Sequence, residues 1–190
     1  MYPSSFPQGS RDHVSRPDEF QMSNYESVSI KTKDGVMITG YLIKPTASNH
    51  SSISADALPS HTLLYLHANA GNMGMWLTFR WDIEGVINSN NFAFRYGHSQ
   101  GTPNETGMKI DAQAALDYIK SHDKLKDTKV LVYGQSIGGA VAINLVSENK
   151  DRISALIIEN TFLSLAKKID STRHQTFTSI CIPMSPNMGL

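Results

Sequence analysis

Short apolar runs alternate along this chain with segments whose apolar residues recur at the spacing of an amphipathic helix. The runs are nearly continuous, which predicts strands that are buried on both faces. Together the two patterns predict an α/β fold in which a largely parallel sheet carries helices on both faces. The predicted strands are 62–66, 91–95, 129–133 and 153–158, and the predicted helices are 75–87, 109–120 and 138–148.

A different pattern precedes this region. Apolar and polar residues alternate from Tyr25 to Ile30, a turn signal follows at Asp34-Gly35, and alternation resumes until Pro45. This is typical of an antiparallel β-hairpin. The predicted organisation is an extended N-terminal arm at 1–24, a folded domain at 25–165 and an irregular tail at 166–190.

The composition is typical of a soluble globular domain and excludes several other classes of protein. The 190 residues include 17 Lys and Arg against 17 Asp and Glu, without a basic block, so neither nucleic acid nor an anionic membrane is a predicted partner. The single cysteine, Cys181, excludes a disulfide framework and a multi-cysteine zinc site, and the histidines lack ligand spacing, so neither a metal nor another cofactor is predicted. No apolar segment reaches the roughly 20 residues of a membrane-spanning helix, and the start lacks a secretory signal, which predicts a cytoplasmic chain.

The predicted strand 129–133 runs into Gly134-Gln-Ser136-Ile-Gly138-Gly, and a predicted helix begins at once. A strand, a sharp glycine-flanked turn with serine at its tip and a helix are the context of a nucleophile elbow. Gly134 and Gly138 are expected where a Cβ would collide with neighbouring backbone. Ser136 is the predicted nucleophile, and the N–H of Ile137 is predicted to stabilise an oxyanion at the helix N-terminus. An ordinary tight turn that contains a serine remains the alternative.

The same pentapeptide pattern occurs a second time, around Ser99. No predicted helix follows it, and only a short apolar patch precedes it. Context therefore favours Ser136 over Ser99 as the nucleophile.

The turn after strand 62–66 carries a further signal, His67-Ala-Asn69-Ala-Gly-Asn. In sheets of this kind the loop at this place supplies another oxyanion donor, and the N–H of Asn69 is the candidate. An ordinary Gly/Asn turn is the alternative, because these residues tolerate unusual backbone angles. His67 is interpreted as a buried structural residue. Four apolar residues at helical spacing follow this turn: Met73, Met75, Trp76 and Phe79. They are expected either to line an acyl pocket or, as is usual for such residues, to lie in the core.

Five segments, at 2–11, 66–72, 109–118, 133–142 and 153–164, resemble the fungal bud-emergence type of α/β-hydrolase. The resemblance covers most of residues 2–165. It implies an α/β-hydrolase fold, a serine hydrolase with a Ser, Asp and His triad, and Ser136 as nucleophile. It also implies an ester or thioester substrate, either a small molecule or a lipidated protein, since animal relatives of the family include protein depalmitoylases. Members of the family are membrane-associated.

Three departures from the family pattern change what we expect of this chain. Met1 stands where relatives carry an apolar anchor, the strand near 91–97 is shortened, and similarity fades after Leu165. We therefore expect a chain truncated at both ends, without its own anchor, in which 25–165 is a partial α/β-hydrolase domain that lacks the C-terminal strands and leaves an unpaired sheet edge.

The acid and histidine of such a triad follow the serine along the chain. After Ser136 the sequence offers one histidine, His174, with Asp170 four residues earlier. That spacing is typical of neighbours on a helix and not of residues on separate loops, so no catalytic Asp or His is identified. Loss of the histidine costs on the order of a millionfold in rate, which predicts impaired catalysis. The alternative is a non-catalytic interaction module, a pseudohydrolase.

Overall fold

The computed structural model describes residues 15–45, 59–67, 89–94, 104–161 and 180–184. Within these residues, seven strands form one sheet, and two α-helices pack against it. The strands are β1 (Tyr25–Lys31), β2 (Met37–Ile43), β3 (His61–Leu66), β4 (Ser89–Phe94), β5 (Lys129–Gln135), β6 (Ala155–Glu159) and β7 (Ile180–Pro183), and the helices are α1 (Glu105–Ser121) and α2 (Ile137–Glu148).

The strand order in the sheet is β1-β2-β4-β3-β5-β6-β7. The four central strands, β4, β3, β5 and β6, run parallel, whereas β1, β2 and β7 pair antiparallel with their neighbours. The predicted largely parallel sheet and the predicted hairpin are therefore confirmed. Parallel strands bring their carboxyl ends to one edge: Leu66 pairs with Gly134, and Gln135 pairs with Glu159.

The observed elements are close to the predicted ones. Helix α1 begins at Glu105, earlier than its apolar spacing indicated, because Asn104 caps it by accepting a hydrogen bond from the Gly107 N–H at 2.8 Å. Strand β4 begins at Ser89, and the three polar residues that open it, up to Asn91, are buried. The predicted helix 75–87 lies outside the described residues.

The structure differs from the predicted irregular tail at residues 180–183, which form β7. This strand pairs antiparallel with β6, Ile182 opposite Leu156. Because β7 satisfies the backbone groups on that side of β6, the edge of the described sheet on this side is β7 and not β6. Four residues that end in proline give too weak a pattern to predict a strand.

Two apolar layers form on the two faces of the sheet, and β3 contributes to both. Leu64 and Leu66 join the layer that contains α1 and α2, while Leu63 and Tyr65 point into the other layer. Both described helices thus cover the same face. On the opposite face, the arm turns through a short 3-10 helix, Pro17–Phe20, and packs Phe20 and Met22 against the sheet.

Asp111 lies on the buried side of α1 with only 8% of its surface exposed. Burial, and secondarily the charge of Asp34 in the hairpin turn, raises the pKa of its carboxyl to about 6. The folded state therefore holds this proton more tightly than the unfolded chain does. As the pH rises from about 4 through 6, ionisation of Asp111 costs the folded state free energy, and the cost persists above pH 6.

We predict that Asp111→Asn raises the free energy of unfolding at pH 7.5 by on the order of 1 kcal/mol, because the amide carries no charge to bury. At pH 4 wild type and variant differ little, since Asp111 is then protonated. Urea unfolding at the two pH values measures the difference, and Asp123→Asn is the control, since that acid follows the same helix and its side chain is 97% exposed. Equal effects of Asp111→Asn at both pH values would contradict the prediction.

Candidate active site

Ser136 lies between the end of β5 and the start of α2 with φ 54° and ψ −117°. A positive φ is uncommon for a residue with a side chain; it costs on the order of 1–3 kcal/mol and persists only where the surrounding structure imposes it. Contacts from other segments must therefore maintain this backbone conformation.

Both backbone polar groups of Ser136 are held by residues at the end of β6. Its N–H donates to the carbonyl of Glu159 at 3.0 Å. Its carbonyl oxygen accepts the N–H of Gly139 at 3.1 Å and the hydroxyl of Thr161 at 2.6 Å. The sharp turn is thus fixed from two sides by the neighbouring strand.

Close backbone approaches explain the flanking glycines. A Cβ on Gly134 would lie 2.6 Å from the carbonyl oxygen of Gly138, and a Cβ on Gly138 would lie 2.0 Å from that of Leu66. The collisions expected from the sequence are therefore present. A glycine is required at position 139 for a similar steric reason, which the sequence did not reveal. A Cβ on Gly139 would lie 2.2 Å from the Thr161 hydroxyl oxygen.

Ser136 precedes the first residue of α2, yet its side chain makes no capping hydrogen bond to the helix. The N–H groups of the first turn, that of Ile137 included, carry the positive end of the helix dipole. A negative charge that develops beside Ser136 is stabilised at this position.

A polar cluster lies beside the elbow where β3, β5 and β6 end. The Glu159 carboxylate accepts hydrogen bonds from the Tyr133 hydroxyl and from Gln135 Nε2, the latter at 3.3 Å. Tyr65 donates to Gln135 Oε1 at 3.2 Å, and its ring stacks on Tyr133 with 5.0 Å between centroids. Sequence reasoning missed this cluster, since its members lie on three separate strands.

The two tyrosines of the cluster stay protonated. Burial raises the pKa of each hydroxyl; the charge of Glu159 raises that of Tyr65 further, and the hydrogen bond to Glu159 raises that of Tyr133. Both hydroxyls therefore act as donors, and the Glu159 carboxylate is held as a structural acceptor beneath the elbow.

The structure brings one described histidine to the edge where Ser136 lies. His67 follows β3 and is 6% exposed, as expected of a structural residue, while His61 begins the same strand at the far end of the sheet. His122 follows α1 before β5 begins, also at the far end. His174 and Asp170 lie outside the described residues.

The loop after β3 starts beside the first turn of α2. A Cβ on Gly138 would lie 2.7 Å from the carbonyl oxygen of His67, two residues before Asn69. The remaining predicted positions lie outside the described residues: Asn69, Met73, Met75, Trp76, Phe79 and Ser99.

Similar proteins match this chain over most of its length. A sequence profile of the alpha/beta hydrolase fold matches residues 93–179. Protein bem46 of Schizosaccharomyces pombe is 48% identical over 172 residues, which are 89% of this chain and 54% of that protein. An uncharacterised membrane protein of Saccharomyces cerevisiae is 33% identical over 89% of this chain and 56% of its own length. The chain thus spans about half the length of these relatives.

Solved structures with the same fold include an esterase from Pyrococcus furiosus, with a TM-score of 0.63 and 24% identity over 82% of this chain and 58% of that one. An alpha-beta hydrolase from Vibrio vulnificus has a TM-score of 0.66 and 18% identity over 90% of this chain and 60% of that one. Neither α1 nor α2, the two α-helices described, is long and apolar enough to cross a bilayer. The parallel sheet with its glycine-flanked serine turn, and the 48% identity to bem46, place this chain in the bem46-type family of α/β-hydrolases.

Proposed function

We propose that this chain carries the nucleophile of a serine hydrolase that cleaves an ester or thioester bond. Ser136 is the nucleophile, and the N–H groups of Ile137 and Asn69 form the oxyanion hole. The observation that carries the proposal is the strained backbone of Ser136, which is held by Glu159 and Thr161 at the tip of a strand-to-helix turn. Strain of this kind is concentrated at functional sites.

The proposed reaction is acyl transfer in two steps. The Ser136 hydroxyl oxygen bonds to the substrate carbonyl carbon, its proton passes to a base, and the carbonyl oxygen becomes an oxyanion between the two N–H donors. Collapse of this intermediate breaks the bond to the leaving alcohol or thiol, which takes up a proton. Water then attacks the acyl-serine and releases the acid.

The base is the part of this mechanism that the described residues do not supply. The acid and histidine follow the serine in this fold, and the described residues after Ser136, at 137–161 and 180–184, contain no histidine. We propose that this chain reacts slowly, because the spacing of Asp170 and His174 is that of neighbours on a helix and not of a catalytic acid and base on separate loops. The elbow and oxyanion hole would then supply about a thousandfold over water.

The proposed substrate class is a small-molecule or lipidated-protein ester or thioester. The sequence resemblance to the bud-emergence type of α/β-hydrolase implies an acyl substrate, and the Saccharomyces cerevisiae relative described as a membrane protein supports action near a membrane. No nucleic-acid partner is proposed, because the net charge is zero and basic residues are dispersed.

A fluorophosphonate probe followed by peptide mass spectrometry tests the nucleophile. The expected result is one adduct, on the peptide that contains Ser136. A folded chain that takes up no probe, or takes it up at another serine, would overturn the proposal. A folded but unreactive chain would instead favour a non-catalytic interaction module.

Chemical rescue tests the proposed lack of a base. We predict that added imidazole accelerates labelling of Ser136, and more at pH 8 than at pH 6, because only neutral imidazole accepts the serine proton. Imidazole-free buffer at equal ionic strength is the blank. Rapid turnover of p-nitrophenyl esters without imidazole, at about 1–1000 per second, would contradict the proposed impairment.

A further inference from the structure

Thr161 contacts the elbow from outside the pentapeptide that defines it. Its hydroxyl donates to the carbonyl oxygen of Ser136 at 2.6 Å, and the residue is 7% exposed. The bond joins residues 25 positions apart in the sequence, so it belongs to the tertiary structure and not to the local turn.

The atom that Thr161 holds belongs to the peptide group between Ser136 and Ile137. That group is planar, and in the trans form its carbonyl and its N–H point in opposite directions. Fixing the Ser136 carbonyl therefore fixes the direction of the Ile137 N–H. This N–H is the oxyanion donor of the proposed function, on which the inference rests.

The same hydrogen bond also affects the strength of the donor. A carbonyl that accepts hydrogen bonds polarises its own peptide group and makes the attached N–H a better donor. The Ser136 carbonyl accepts two, from Gly139 and from Thr161, and the hydroxyl bond is the shorter.

Two local features place Thr161 for this contact. Asn160 has φ 46°, a left-handed conformation that asparagine tolerates, and it turns the chain at the end of β6. The carbonyl of Glu159 and the hydroxyl of Thr161 can then both reach Ser136. Gly139 provides the space, since a Cβ there would lie 2.4 Å from Thr161 Cβ.

We infer that Thr161 is a positioning residue for the oxyanion hole: through the Ser136 carbonyl, it orients and polarises the Ile137 N–H. Thr161 touches no reacting atom in this role. Its removal lowers the reactivity of Ser136 with electrophiles that develop an oxyanion, even where the fold persists.

The test compares Thr161→Val, which keeps the shape and removes the donor, with Thr161→Ser, which keeps the donor. Thr128→Val is the matched control: Thr128 is 8% exposed, donates to the Leu125 carbonyl at 2.6 Å and lies before β5, at the opposite end from Ser136. The rate of fluorophosphonate labelling reports the oxyanion hole, and the labelled fraction together with the melting temperature reports folding.

We expect Thr161→Val to label about tenfold more slowly, less than the loss of an oxyanion donor itself, with Thr161→Ser within about twofold of wild type. Thr128→Val should lower the melting temperature and leave the rate unchanged. If Thr161→Val reduces only the labelled fraction, the residue is merely structural and the inference fails. Thr161→Cys, a weak donor, replaces Thr161→Val if the latter does not fold.

A second readout separates this inference from the proposed function. The amide nitrogen resonance of Ile137 should shift in Thr161→Val and remain near its wild-type position in Thr161→Ser, because it responds to hydrogen bonding at the preceding carbonyl. Failure of the wild-type chain to label, with this shift present, would overturn the proposed function alone. An unshifted resonance in Thr161→Val would overturn the role of Thr161 whatever the labelling shows.

Discussion

Ser136→Ala loses fluorophosphonate labelling to background, at least about a thousandfold below wild type, whereas Ser99→Ala keeps it. This is the expected result if the hydroxyl at the tip of the elbow is the nucleophile. The two serines are centred in the same pentapeptide pattern. Comparing the two variants therefore tests whether the strand-to-helix context, and not the pentapeptide sequence alone, determines reactivity.

The fold should survive this substitution. Serine and alanine both carry a Cβ, so the positive φ at position 136 costs each of them about the same. The Ser136 side chain makes no capping bond to α2, and the backbone bonds to Glu159 and Thr161 remain. We expect a free energy of unfolding within about 0.5 kcal/mol of wild type, measured by urea denaturation. Persistent labelling of Ser136→Ala, or its loss in Ser99→Ala, would refute the assignment of the nucleophile.

Gly138→Ala is expected to be the most destabilising single-methyl change at the elbow. The added Cβ would lie 2.0 Å from the carbonyl oxygen and 2.5 Å from the carbonyl carbon of Leu66, and 2.7 Å from the carbonyl oxygen of His67. All three atoms are backbone at the end of β3, so no side-chain rotation relieves the contact. The first turn of α2 must move away from the sheet, which we expect to cost about 3 kcal/mol or more and to abolish labelling of Ser136.

Gly107→Ala is the matched control for this prediction. Gly107 lies in the first turn of α1, where an added Cβ would lie 3.6 Å from Asn104 Oδ1, an ordinary contact. Alanine is the better helix former, so this variant should be more stable than wild type by about 0.5–1 kcal/mol. Urea unfolding followed by circular dichroism measures both changes. A Gly138→Ala protein as stable as wild type would show that α2 does not pack against β3 as closely as the structure has it.

The sequence predictions were accurate for elements that depend on local patterns and inaccurate for elements that depend on contacts between distant parts of the chain. Strands β3 and β5 were predicted well, because burial on both faces requires a continuous apolar run. Strand β7 was not predicted, because it is short and depends on pairing with β6. About twenty residues of chain separate the two strands. Asp111 occupies a position on the buried side of α1 that helical periodicity would assign to an apolar residue.

The same distinction holds within the candidate active site. Ser136, Ile137, Gly134 and Gly138 were predicted from local context, since a strand, a tight turn and a helix follow one another along the chain. Thr161 was not predicted, because the role proposed for it depends on a hydrogen bond that forms only once β5 and β6 pair.

The sequence by itself determined the hairpin, strands β3 to β6, helices α1 and α2 and the residue at the tip of the turn, because hydrophobic period and glycine placement are local properties. Only the tertiary structure decided what holds that turn: the Glu159 carbonyl and the Thr161 hydroxyl on Ser136, and the Leu66 backbone against Gly138. These contacts join strands that are far apart in sequence. They form only when the register of the sheet places their ends side by side.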